Sequence, residues 1–172
     1  MPYTLLLDVP PRAVSELKFA HLPKKIFQTW RSTQVSEAMH QAVYSFIEQN
    51  PDWHYQLFTD AMQREFIQKH FSPDVLKAYD TIVPGAFKAD LWRYCVLYIE
   101  GGVYLDIKFA SLQSLNMLIP LDAEFVSFKD HGPSAIYQAF LCAKPQHPFF
   151  KQVIDDIVKH AKIGYYGVCN LS

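Results

Sequence analysis

Apolar and polar positions along this chain fall into runs with two different periods. The clearest run is Phe87 to Glu100, which contains no Pro or Gly and is mostly apolar or aromatic. Leu91, Trp92, Cys95, Val96 and Ile99 recur at helical spacing, and Tyr94, Leu97 and Tyr98 fill the other faces. Such a pattern predicts a helix that is buried nearly all round. Gly101-Gly102 stops it, because glycine accepts the left-handed conformation that ends helices. Val103, Tyr104 and Leu105 then read as a short buried strand that ends at Asp106.

The rest of the chain alternates in the same manner. Lys25 to Trp30 reads as a strand. Ser36 to Gln49 reads as a helix with Met39, Val43, Phe46 and Ile47 inward, stopped by Asn50-Pro51. Trp53 to Phe58 is a second strand, and Asp60 caps a helix over 61–70 with Met62, Phe66 and Ile67 as its buried side. Ser72-Pro73 opens a short helix through Tyr79. A helical turn follows within Ser111 to Ile119, then strands at Glu124 to Phe128 and Ala135 to Ala143, then an amphipathic helix from Phe149 to Lys159. His147, just before it, reads as an N-terminal structural residue rather than a base. The alternation predicts an α/β layered fold, a mostly parallel central sheet with flanking helices. Residues 1–22, with Pro2, Pro10 and Pro11, read as an N-terminal extension, a strap or an arm, and 23–172 as a single domain.

Composition narrows the classes. With 172 residues the chain can bury a sizeable core, and half of them are hydrophobic. A net charge of −1 and no Lys/Arg cluster argue against a nucleic-acid partner. Cys95, Cys142 and Cys169 are far apart and odd in number, so they read as reduced thiols. The start, MPYTLLLDVPPR, lacks the basic n-region of a secretory signal, and no apolar stretch approaches the roughly 20 residues of a membrane span. The expected location is cytoplasmic.

Three charges interrupt the apolar stretch: Asp90 and Arg93 in the helix and Asp106 at the strand end. Charged groups are rarely buried unless they are paired or hold something. Asp90 and Arg93 share a helix face, and Asp106 lies where ligands bind in open α/β sheets, outside the carboxyl ends of strands. Two acids and a base suit a polyhydroxylated anionic ligand, since carboxylates accept from sugar hydroxyls and Arg donates to oxyanions. The same residues also fit a plainer reading, an i,i+3 ion pair and a strand-terminal turn residue. Trp30 is either a core aromatic or a stacking platform for a nucleotide base, and the polar Arg31-Ser32-Thr33 after it favours the platform. A pair of acids could also serve a glycosidase, but nothing in the spacing of Asp90 and Asp106 sets them across a glycosidic bond.

Ala89-Asp90-Leu91-Trp92-Arg93-Tyr94, followed by Gly101-Gly102-Val103-Tyr104-Leu105-Asp106, resembles the sugar-nucleotide-binding region of glycosyltransferase family 32, the DXD enzymes related to yeast initiating mannosyltransferases. Pro23 to Trp30 resembles the family's opening strand, Asn50-Pro51-Asp52-Trp53 with Tyr55 to Asp60 its next helix-to-strand passage, and His147-Pro148-Phe149 its later His-Pro motif. The resemblance covers nearly everything after residue 22. It departs at one place, where Asp106-Ile107-Lys108 puts a lysine in the position of the second acid.

The resemblance implies a GT-A type, Rossmann-like nucleotide-sugar-binding fold. It implies a hexosyltransferase that moves sugar from a GDP- or UDP-hexose to a hydroxyl of a glycan, lipid or protein acceptor, with retention, in polysaccharide biosynthesis. Asp90 and Arg93 are then expected at the sugar, and Asp106 as the catalytic and metal-side carboxylate. Gln28, Thr29, Trp30, Tyr104 and Lys108 complete the expected substrate-binding set. Mn²⁺ or Mg²⁺ is the implied cofactor, and Lys108 either replaces part of its charge or points to solvent. The relatives continue into a Thr-Gly-Pro motif and acceptor-side elements, so the chain reads either as a fragment or as a shortened member. The alternative is a binding module that keeps the donor pocket without turnover.

Overall fold

A computed structural model describes residues 2–83, 85–131 and 135–163. Pro84, Gly132-Pro133, Cys169 and the rest of the tail from Gly164 lie outside the described residues. In chain order the elements are β1 (Tyr3–Thr4), β2 (Asp8–Val9), β3 (Lys25–Thr29), β4 (Gln34–Val35), α1 (Glu37–Gln49), β5 (His54–Phe58), α2 (Asp60–His70) and α3 (Pro73–Thr81). Then come α4 (Gly85–Glu100), β6 (Gly102–Leu105), α5 (Leu115–Leu118), β7 (Phe125–Lys129), β8 (Ile136–Ala143) and α6 (Pro148–Lys162). Ser36 caps α1 by accepting from the Met39 amide, and Asn50 closes it. Asp60 is the first residue of α2, not its cap; Thr59 holds that place. The buried side of α2 is Gln63 and Ile67, with Met62 and Phe66 half-buried.

Six strands form the main sheet in the order β2-β5-β3-β6-β8-β7. Only β5, β3 and β6 run parallel; β2 lies antiparallel on β5, β8 on β6, and β7 on β8. The sheet is therefore mixed, where the alternation of elements predicts a mostly parallel one. The cause is connection length. Helices cross over between β3, β5 and β6, whereas β7 reaches β8 through a short loop that can only reverse direction. Residues before 23 join the fold: β1 pairs with β4, β2 adds the edge strand, and Leu5 and Leu22 are buried.

Each face of the sheet carries its own apolar layer. On one face α2, α3, α4 and α6 cover Phe27, Tyr104 and Leu141. On the other, α1, α5 and the N-terminal segment cover Ile26, Val103, Leu105 and Cys142. Every residue of α4 from Leu91 to Leu97 is buried, as its all-round apolar pattern predicts. Cys95 and Cys142 are unpaired and buried, and burial pushes the Cys142 thiol up to about 12. Among the described residues no helix is long and apolar enough to cross a membrane.

The turn from α4 into β6 needs both glycines. Gly101 has φ of 63° and Gly102 of 100°. A Cβ on Gly102 would stand 2.7 Å from the Lys25 carbonyl oxygen, on the strand that β6 pairs with. Gly102→Ala is therefore expected to lose about 2 kcal/mol or more of stability by urea denaturation, through strained backbone and a clash with backbone. Gly85→Ala, where an added Cβ meets nothing within 4 Å, is expected to stay within about 0.5 kcal/mol of the parent.

His147 supplies a second test. Its ring stacks on Phe125 at 5.3 Å, and its Nδ1 is buried without a partner. Burial, helped by nearby Lys144, lowers its pKa below the ordinary value, against the pull of Glu124. The unfolded chain then takes the proton more readily, so stability is full above about pH 6.5 and falls as pH drops through the folded pKa. Between about pH 7.5 and 5 the urea midpoint of the parent is expected to fall further than that of His147→Phe.

Candidate functional site

The carboxyl ends of β3, β5 and β6 open into one cleft of about 370 Å³. Thr29, Asp60 and Asp106 come to it from, or directly after, those three strands. The opposite wall is the start of α4, through Gly85, Ala86, Ala89 and Arg93. This is where open α/β sheets hold ligands, because strand ends and helix starts converge there.

Arg93 organises the wall. Its side chain is 8% exposed. One terminal nitrogen donates to the Gln138 carbonyl on β8 at 2.5 Å. The other meets Asp90 at 2.5 Å and lies 4.0 Å from Asp106. The guanidinium sits over the Tyr104 ring, 4.6 Å from its centroid. Its Nε is buried with no hydrogen-bond partner. Burial alone would lower the Arg93 pKa, but Tyr104, Asp90 and Asp106 outweigh it, so the cation is held. Burial raises the Asp90 carboxyl, against the pull of Arg93 and with a push from Asp106. Tyr104 is buried, which raises its pKa, and its hydroxyl donates to Asp106 at 2.8 Å. Asp106 thus meets the cleft half-exposed, with one oxygen fixed.

Six of the eight expected site residues line the cleft: Thr29, Trp30, Arg93, Tyr104, Asp106 and Lys108. Trp30 is half-buried at the rim, with the Arg31 guanidinium 5.8 Å from its ring. Thr29 donates to the Phe58 carbonyl at 2.8 Å and accepts from Gln63. Asp90 does not line the cleft; it reaches the cleft through Arg93. Gln28 does not line it either. It is fully buried, accepting from the Tyr55 hydroxyl at 3.0 Å and donating to the Asp106 carbonyl at 3.4 Å. It steadies the turn that carries Asp106.

Known proteins resemble this chain in both family and fold. The family model described as "Glycosyltransferase sugar-binding region containing DXD motif" matches residues 36–125. The chain belongs to this DXD glycosyltransferase family. Inositol phosphoceramide mannosyltransferase 2 of Schizosaccharomyces pombe is 35% identical over 141 residues, 82% of this chain and 40% of that protein. Initiation-specific alpha-1,6-mannosyltransferase of Candida albicans is 33% identical over 101 residues, 55% of this chain and 26% of that protein. The chain therefore spans less than half the length of these relatives. Among solved structures, PaToxG glycosyltransferase superposes with a TM-score of 0.68 at 16% identity, covering 88% of this chain and 65% of that one. That likeness shows the fold.

The DXD family takes its name from two acids, and this chain keeps one. A divalent ion of the hard kind wants several oxygen ligands. Here Asp106 already accepts from Tyr104, a guanidinium nitrogen lies 4.0 Å away, and Lys108 stands in the second position. Lysine has no acceptor. Among the described residues no group of three His, Cys, Asp or Glu could hold a metal. The donor set does not fit an ion bridged by two motif acids.

Three further lining residues escape sequence reasoning: Arg31, Asp60 and Gln63. Asp60 sits directly after Thr59, at the end of β5, so the strand-end rule applied to Asp106 would have found it. Gln63 follows it by one turn and reads as a solvent-facing polar residue, yet it is 2% exposed.

Removing Arg93 should cost stability as well as binding. Arg93→Ala strips the Gln138 carbonyl of its donor and leaves Asp90 without its cation. The expected loss is about 3 kcal/mol by urea denaturation, the scale for breaking a buried pair from one side. Asp90→Asn keeps a hydrogen-bond acceptor beside Arg93 and should lose less than half as much. An Arg93→Ala variant as stable as the parent would show that the pair is peripheral to the fold.

Proposed function

We propose that this chain is the donor-binding region of a hexosyltransferase, moving a hexose from a GDP- or UDP-linked donor to an acceptor hydroxyl with retention. The observation that carries the reading is the Asp106–Arg93–Asp90 cluster, which sets a fixed carboxylate at the end of β6 inside the cleft. The relatives' names support mannose as the hexose and a phosphoinositol ceramide as one acceptor class. The unpaired, buried Cys95 and Cys142 support a reducing, cytoplasmic setting.

In this reading each residue has a definite task. Asp106 accepts from sugar hydroxyls through the oxygen that Tyr104 does not hold. Arg93 has both terminal nitrogens engaged, so it positions Asp90 and Asp106 instead of gripping the ligand itself. Trp30 offers its ring to the base at the rim. Asp60 and Gln63 face the cleft from the β5 side. A divalent ion, where the DXD family uses one, would supply charge to neutralise the leaving diphosphate. The second reading, a module that binds donor without turnover, rests on Lys108 in place of the second acid.

Two measurements test these readings. Incubation with a panel of GDP- and UDP-hexoses, followed by NMR for free nucleotide, should show slow donor hydrolysis. Binding without release across the panel favours the module, and no binding at all sinks both. Trp30→Ala should weaken the bare nucleoside diphosphate by about 1–3 kcal/mol in calorimetry, the range for base–aromatic stacking. An unchanged affinity returns Trp30 to the apolar layer it flanks.

A further inference from the structure

We propose that the donor's diphosphate is held by Lys108, Arg31 and the N-terminal end of α4, so that fixed protein cations stand where a two-acid motif would place a divalent ion. This rests on the donor-site reading above. Lys108 and Arg31 both line the cleft, and both are exposed there. Neither forms an ion pair with a carboxylate among the described residues; Arg31 lies over Trp30 instead. Their charge is therefore available to a ligand.

The wall facing them is built for an anion too. α4 is sixteen residues long, and its first turn carries no acidic side chain. Its amide ends and macrodipole present positive charge to whatever lies in front of them. Gly85 leaves open space: an added Cβ would meet nothing within 4 Å. Ala86 and Ala89 keep the same face small. One turn on, the buried Arg93 Nε has no partner. Arg93 is already paired with Asp90, so the cations open to a ligand are Arg31 and Lys108, standing apart from the carboxylates Asp60 and Asp106. An ammonium is a compact point charge that suits a phosphate, and Arg adds planar donors beside the base-stacking ring.

The division of labour follows from the charges. Phosphate oxygens are repelled by Asp60 and Asp106 and drawn toward Lys108, Arg31 and the α4 end. Sugar hydroxyls have the opposite preference. A diphosphate between the two groups is oriented without a second motif acid.

Calorimetric titration of GDP and of UDP decides the matter, each in EDTA and in MnCl₂. The proteins are the parent, Lys108→Ala, Arg31→Ala and Lys108→Asp, with circular dichroism confirming the fold of each. The parent should bind one of the two nucleotides in EDTA, with Mn²⁺ tightening it by less than about tenfold. Lys108→Ala and Arg31→Ala should each weaken binding in EDTA by about tenfold or more, the scale of a hydrogen bond to a charged group. Lys108→Asp should lose binding in EDTA and recover it with Mn²⁺. If the parent binds only with Mn²⁺, charge replacement fails while the donor-site reading stands. Charge replacement fails in the same way if neither alanine variant weakens binding in EDTA. If the parent binds neither nucleotide under either condition, both readings fall.

Discussion

A buried guanidinium governs this structure. Arg93 sits within the buried stretch of a mostly apolar helix, and such a charge is tolerated only when paired. Those partners come from three places. Asp90 is on the same helix, Gln138 on β8, and Tyr104 with Asp106 on β6 and its end. Meeting them fixes the rotation of α4, the position of β8 beside β6, and the direction in which Asp106 leaves the sheet. A second tie runs parallel to the first, the Tyr94 hydroxyl donating to the Gln138 side chain at 2.6 Å. One polar contact set thus sets both fold and site, and a change in one is felt in the other.

The sheet shows how the cleft comes to lie where it does. Parallel order is confined to β5, β3 and β6, the strands joined through helical crossovers. Their carboxyl ends therefore face the same way and collect Thr29, Asp60 and Asp106 at one edge. The strands on either side widen the sheet; β7 shares the direction of β6 but lies beyond β8, and no residue of β2, β7 or β8 lines the cleft. The close approach of β6 to Lys25, which only glycine at 102 allows, keeps β6 against β3 and holds Asp106 within reach of Gln28.

Most elements were legible in the sequence because local signals and burial agreed. Ser36 and Asn50 bracket α1, Ser72-Pro73 opens α3, and the mostly apolar run of α4 reads as a buried helix. What escaped was relational. The pairing of β2 with β5 depends on how an irregular extension packs, which has no period to read. The antiparallel set of β8 was implied by its short link to β7, but a count of alternating elements does not weigh link length. In the site, the places of Gln28 and Gln63 have one cause each. Strand side chains alternate, so Gln28 and Thr29 at one strand end must face opposite sides, and only Thr29 shares Phe27's side with α4. Gln63 was invisible because a polar residue on a helix is ordinarily solvent-facing; here the Thr29 and Tyr79 hydroxyls supply the partners that let it be buried.

The exchange of an acid for Lys108 is best judged against the whole cleft. A second carboxylate there would have joined Asp106 and Asp60, three like charges gathered at one edge of the sheet. Like charges so close need a counter-ion, and a divalent cation is the natural one. With lysine a cation stands there before any ion arrives, and with Arg93 paired to Asp90, Lys108 and Arg31 match Asp60 and Asp106 in number. The contacts of Asp106 and Arg93 do not involve Lys108. Asp106 keeps its tie to Tyr104, and Arg93 keeps Asp90 and Gln138. In the proposed reading the substitution acts on the phosphate side of the site, where charge matters more than the directional lone pairs that a carboxylate would supply.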